Sequence, residues 1–295
     1  MNQRELTLMN DLMVFTHIVC TGGGAFSDLL DKYFWQGSII TSKNIAHQLG
    51  RPELNTPLKR RDDRNDDILQ QYRQRKNRTK VIRGHYHLAY GDREVWQKEP
   101  LKFLTFLREP VKRFISHGHY LMTDMDILSR LEKIPEIDFN LQTTYLSGCK
   151  TLCATEQDLE IAKRNLEKYD FIGITEEYDD SIELFCKIFS LPYIGWEHNT
   201  NAVTKKKNKI PQGVQDRIRE LSALDIELYE YGKKLFLQKF EQHKNVELIE
   251  PGRFDQVLMK ARKVDQYRAK GQRFVKRKLA KDVREQTRLE EFLVN

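Results

Sequence analysis

Three consecutive glycines, Gly22, Gly23 and Gly24, stand between an apolar run and a helical pattern. The run from Val14 to Val19, broken by Thr16 and His17, reads as a buried strand. Phe26, Leu29, Leu30 and Tyr33 then recur at helical spacing. Strand, glycine loop and helix form the geometry that cradles a phosphate. Glycines let backbone N–H groups approach the anion, and the helix N-terminus adds partial positive charge. The stretch has neither the Walker spacing nor that of a dinucleotide fold, and a glycine-rich turn without ligand fits the same residues. A second group follows the run Lys102 to Leu107. There Arg108-Glu109-Pro110 ends a strand and Pro110 opens a helix carrying Val111, Phe114, Ile115 and Leu121. Arg108 and Ser116 are expected near the carboxyl end of that strand, where open α/β sheets bind ligands.

The elements that must position these residues alternate. Lys80-Val81-Ile82-Arg83-Gly84-His85 reads as a strand ending at a glycine. Residues 138–148 read as a short helix stopped by Gly148, and Thr155 caps a helix bearing Leu159, Ala162 and Leu166. Phe171 to Ile174 reads as a fourth strand. Asp179 or Asp180 is expected to cap the next helix, and Pro211 to open one long helix through Phe236. Residues 32–49 read as helix and loop. Residues 51–80 are almost wholly polar and are expected outside the core. The alternation predicts an α/β fold with a central parallel sheet and helices on both faces.

Composition sets the frame. The 295 residues are 39% hydrophobic and 32% charged, which excludes a disordered chain. No apolar run approaches the ~20 residues that span a bilayer, and the first residues lack signal-peptide character. The expected location is therefore the cytoplasm, in a bacterial or phage-like setting. Cys149 and Cys153 form a Cys-x3-Cys pair without a second zinc-binding half, so no metal is expected. The net charge of +7 is concentrated between Arg253 and Arg288, where apolar residues recur at helical spacing. This divides the chain into a domain at 1–245 and a basic amphipathic helical extension at 246–295. The extension is expected to pack on its own domain or on a second copy, giving a homo-oligomer, or else to meet a polyanion. No specific nucleic-acid partner is expected.

Taken together, five stretches resemble the sulfotransferases, within them the carbohydrate branch that includes heparan sulfate 2-O- and 6-O-enzymes. They are Ile18 to Ala25, Arg83-Gly84-His85, Leu107 to Ser116, Tyr145-Leu146-Ser147-Gly148, and Phe171 to Tyr178. The resemblance covers residues 15–240. It implies a P-loop-like three-layer fold and the donor 3′-phosphoadenosine 5′-phosphosulfate (PAPS). It implies a 5′-phosphosulfate site at Cys20, Thr21, Gly22, Gly23, Gly24, Ala25 and Phe26, and a 3′-phosphate site at Arg108 and Ser116. A guanidinium suits the second site because it offers paired donors to phosphate oxygens.

Sulfuryl transfer needs a base for the acceptor hydroxyl, and His85 is the candidate because histidine titrates near working pH. His87 is the alternative. The implied acceptor is a hydroxyl of a glycan or similar molecule; an anionic acceptor would meet the basic residues before Lys80. The chain departs from the family's pattern where a lysine becomes Cys20 and hydroxyl residues become Gly24 and Ala25. Two other readings follow: a catalytically impaired relative that binds PAPS or 3′,5′-adenosine bisphosphate, and a polyanion-binding protein that uses its basic C-terminal region.

Overall fold

In a computed structural model of the chain, the apolar runs form a sheet buried on both sides. The structure describes residues 12–34, 38–41, 68, 70–85, 101–121, 139–149, 153–194 and 210–252. Five parallel strands, β1 (Leu12–Thr16), β2 (Ile39–Thr41), β3 (Val81–Gly84), β4 (Leu101–Leu107) and β5 (Phe171–Ile174), lie in the order β2-β3-β1-β4-β5. Every residue of β1 and β5 is buried, so helices and loops cover both faces, as continuous apolar strands in a parallel sheet require. The fold is the expected α/β architecture.

The connecting helices are α1 (Gly23–Tyr33), α2 (Pro110–Leu121), α3 (Leu141–Ser147), α4 (Glu156–Leu166), α5 (Tyr178–Ile188), α6 (Gln212–Leu221) and α7 (Ala223–His243). Phe26 anchors α1. Its ring is fully buried and meets Phe15, Phe106, Phe171 and Phe185. Gly148 closes α3 in the left-handed conformation, and Thr155 forms a capping box with Asp158 at α4.

Several expectations need correction. The first strand ends at Thr16, and residues 17–22 belong to the loop. Residues 32–49 include β2, whose Ile39-Ile40 pair is too short to show a period; Phe171–Ile174 is thus the fifth strand. Neither Asp179 nor Asp180 caps α5, which begins at Tyr178 after a 3-10 turn at Thr175–Glu177. The helix after Pro211 is two helices parted at Ser222. Within the polar stretch, Ile68 and Tyr72 are buried in the main core.

Residues 246–252 are not helical. Ile249 pairs with Pro192, and the Tyr193 N–H donates to the Ile249 carbonyl at 2.8 Å. The rest of the basic extension, His87, and residues 51–67 of the polar stretch lie outside the described residues.

Candidate functional site

The chain leaves β1 toward β2 and β3 and leaves β4 toward β5, so the two connections diverge at the carboxyl edge between β1 and β4. Such a switch point is where open α/β sheets form a ligand crevice. Thr16 pairs with Gly84 on one side and Thr105 on the other. The ends of β1, β3 and β4 therefore bring the glycine loop, His85 and Arg108 to one edge.

The loop gets its shape from two left-handed residues, Cys20 (φ 65) and Gly22 (φ 84). Glycine takes this conformation freely, whereas a residue with a Cβ pays roughly 1–2 kcal/mol for it. Gly22 is the N-cap of α1 and provides no side-chain cap. The N–H groups of Ala25 and Phe26 both bond the Gly22 carbonyl, at 3.1 and 3.3 Å. As the first two helical residues, Gly23 and Gly24 have N–H groups without an intrahelical acceptor. A Cβ at Gly24 would meet nothing within 4 Å, whereas one at Gly23 would overlap the His17 ring. Gly23 and Gly24 are therefore among the backbone donors of the loop, and the Phe26 side chain is buried in the core.

Residues beyond β5 hold the loop from outside. Thr175 Oγ1 lies 2.6 Å from the Thr21 carbonyl and 2.9 Å from that of Leu107, so one hydroxyl ties the ends of the loop and of β4 together. Tyr178 donates to the Gly22 carbonyl at 3.4 Å, and burial pushes its phenol well above the ordinary value, which keeps it a neutral donor. Thr21 closes the turn by donating to the Ile18 carbonyl at 3.0 Å.

Arg108 crosses the crevice. Its Nη1 donates to the Cys20 carbonyl at 3.0 Å, and its Nε lies 4.0 Å from Glu176. Burial lowers its pKa, opposed by Glu176 and Cys20, yet a guanidinium stays protonated at any working pH. Glu176 also accepts from Tyr229 at 3.2 Å and from the Glu109 N–H at 3.3 Å. Ser116 is half-buried in α2, and its side chain makes no hydrogen bond among the described residues.

His85 follows β3 directly. Its Nδ1 lies 2.8 Å from the His17 carbonyl. A carbonyl only accepts, so Nδ1 carries the proton in this contact. His17 also stacks on His85, with ring centroids 4.2 Å apart. The sequence reading missed His17, although a polar residue ending an apolar run beside a glycine loop was a usable signal. Nor does the sequence alone assign a role to Thr175, Glu176 and Tyr178, which fall in the fifth stretch of the family resemblance. Among the described residues no group of three or more His, Cys, Asp or Glu could hold a metal ion, and no helix is long and apolar enough to cross a membrane.

No family model matches the chain. Curated relatives do. Heparan-sulfate 6-O-sulfotransferase 2 of Danio rerio is 37% identical over 32% of this chain and 22% of its own length. Its namesake in Mus musculus is 39% identical over 47% of this chain and 30% of its own length. That of Gallus gallus is 27% identical over 47% and 45%. The chain thus matches less than half the length of these relatives.

Proposed function

We propose, for a chain that is related to the carbohydrate sulfotransferases, that it transfers a sulfuryl group from PAPS to a hydroxyl of a glycan acceptor. The observation that carries this reading is the 3.0 Å hydrogen bond from Arg108 to the Cys20 carbonyl. It brings the glycine loop and the arginine stretch to one point of the crevice. A nucleotide with a phosphosulfate at one end and a separate 3′-phosphate needs two anion-binding groups set this way.

The residues present fit such a donor. Gly23 and Gly24 offer two backbone donors at a helix N-terminus, and the space over Gly24 is open. Arg108 offers a planar fork suited to phosphate oxygens. When bound, PAPS supplies a sulfuryl group on a phosphate leaving group. His85 Nε2 takes the proton that the acceptor hydroxyl gives up, with Nδ1–H held on the His17 carbonyl. The relatives' names point to a heparan-sulfate-type acceptor.

Cys20 favours a second reading, binding of the nucleotide without efficient turnover. A thiol cannot supply the positive charge that the resembling family places there. One well-placed electrostatic contact is commonly worth ~10²–10³ in rate.

Incubation with sulfur-labelled PAPS and a panel of heparan- and chondroitin-type glycans tests both readings. Transfer is expected, and His85→Ala should lower it by roughly 10²–10⁴ while nucleotide binding persists. Nucleotide binding with no transfer to any acceptor would favour the second reading. Absence of nucleotide binding would overturn both.

A further inference from the structure

Behind Arg108 lies a buried polar network that the proposed chemistry does not use. Arg108 stands after the last residue of β4 and two positions before Pro110, where α2 begins. Its peptide therefore belongs neither to the sheet ladder nor to the helix. Gln142, fully buried in the first turn of α3, takes the place of a strand partner. Gln142 Oε1 accepts the Arg108 N–H at 3.0 Å, and Gln142 Nε2 donates to the Arg108 carbonyl at 2.9 Å. Two bonds to one residue's backbone fix its orientation, and with it the direction in which the Arg108 side chain leaves the main chain.

The clamp is itself held. Asp225, also fully buried, accepts the Gln142 N–H at 3.0 Å, the Thr143 N–H at 2.7 Å and the Thr143 hydroxyl at 2.8 Å. The Asp225 N–H donates to Asn140 Oδ1 at 3.0 Å, and Asn140 Nδ2 donates to the Leu221 carbonyl at 3.2 Å. Burial raises the Asp225 pKa, opposed first by the nearby Arg113 and then by the bonds from Thr143 and Gln142. Arg113 is only 1% exposed.

Packing alone does not require this arrangement. Leucine or methionine fills a similar volume without the desolvation cost of a buried amide. An amide is distinguished by offering a donor and an acceptor side by side, and both are used here on Arg108.

We propose that Gln142, held in place by Asp225, is a positioning residue that aims the Arg108 guanidinium at a ligand's 3′-phosphate. This rests on the nucleotide reading above. The hydrogen bonds of Gln142 and Asp225 link Arg108, Thr143 and Asn140, and the network meets the glycine loop through the Arg108 bond to the Cys20 carbonyl, so the larger effect is expected at the 3′-phosphate end of the ligand.

The test is calorimetric binding of 3′,5′-adenosine bisphosphate and of 5′-AMP to the full chain, compared as a ratio. The wild type should prefer the bisphosphate, and Arg108→Ala should abolish most of that preference. Gln142→Leu should cut the preference by about tenfold, a change of ~1.4 kcal/mol in relative affinity, while 5′-AMP binding stays within about twofold. A merely destabilised site would weaken both ligands alike and leave the ratio unmoved.

Gln142→Glu keeps the acceptor for the Arg108 N–H and loses the donor to its carbonyl. It should fall between the wild type and Gln142→Leu, and it carries the test if the leucine variant does not fold. A wild-type ratio in the Gln142 variants, with the ratio lost in Arg108→Ala, overturns the positioning role and leaves the nucleotide reading intact. A wild type that shows no preference, or an Arg108→Ala that retains it, overturns the nucleotide reading and the proposal with it.

Discussion

The two sides of the crevice are built in opposite ways. On the β1 side the loop works through its main chain. Cys20 and Gly22 set its path with left-handed backbone, and Gly23 and Gly24 present N–H groups. Its restraints come from other elements, through Thr175, Tyr178 and the Arg108 bond to the Cys20 carbonyl. On the β4 side one long side chain, Arg108, provides the charge, and its backbone is clamped by Gln142. A backbone cradle takes any tetrahedral anion that fits, because its donors are common to every residue. A fixed guanidinium adds discrimination, because it responds to where a second anionic group lies. On the proposed reading, the loop would govern whether an anion binds and Arg108 which one.

The strongest way to break this contrast is Arg108→Ala. It should weaken 3′,5′-adenosine bisphosphate by roughly 10- to 100-fold, the loss of a charge-assisted hydrogen bond worth ~1.5–3 kcal/mol. Binding of a single inorganic anion to the loop should change little. Titration of both ligands checks this, and equal losses would erase the division of labour.

The loop itself is sharpened by two neighbouring glycines. Gly23→Ala would drive a methyl into the His17 ring and should cost about 1–3 kcal/mol, the usual range for overpacking. Gly24→Ala meets open space and should stay within about 0.5 kcal/mol of wild type. Urea unfolding of the pair measures the difference. Equal stabilities would show that His17 does not pack against Gly23.

A smaller effect tests the strand beneath the loop. Thr16 Oγ1 and the Tyr169 hydroxyl lie 3.0 Å apart, and burial pushes the Tyr169 phenol up to about 12. Because the folded value is raised above the ordinary 10.0, the neutral phenol is the form the fold favours. Its contribution is fully present below pH ~10 and is lost as pH rises toward the folded value. Tyr169→Phe should cost about 0.5–1.5 kcal/mol at neutral pH and flatten the fall in stability above pH ~10. Thermal unfolding from pH 8 to 11.5 reads both effects, and an unchanged alkaline slope would count against this anchor.

These contrasts also explain what the sequence could tell. Residues whose role depends on local pattern were legible. Pro110 opens its helix, Gly148 stops its own, Thr155 caps α4, and the glycine triplet sits where β1 meets α1. Arg108 was legible as a ligand candidate because a cation at a strand end before proline has a recognisable setting. Its contact with Cys20 was not, because 88 positions separate them and only the sheet order brings β1 beside β4. Gln142 and Asp225 were hidden for the same reason, with 83 positions between them. The single long helix expected after Pro211 failed because its apolar positions continue across Ser222. The break there is fixed by Asn140 and Asp225, which local periodicity does not report. β2 was missed because three residues carry no period.

The central claim is that the glycine loop and Arg108 form one nucleotide site with two anion-binding ends. A crystal structure of the full chain with 3′,5′-adenosine bisphosphate tests it most directly. The account predicts the 5′-phosphate on the N–H groups of Gly23 and Gly24 and the 3′-phosphate within hydrogen-bonding distance of the Arg108 guanidinium, with Gln142 still holding the Arg108 backbone. A nucleotide bound elsewhere, or one whose phosphates touch neither Arg108 nor the loop, would contradict it.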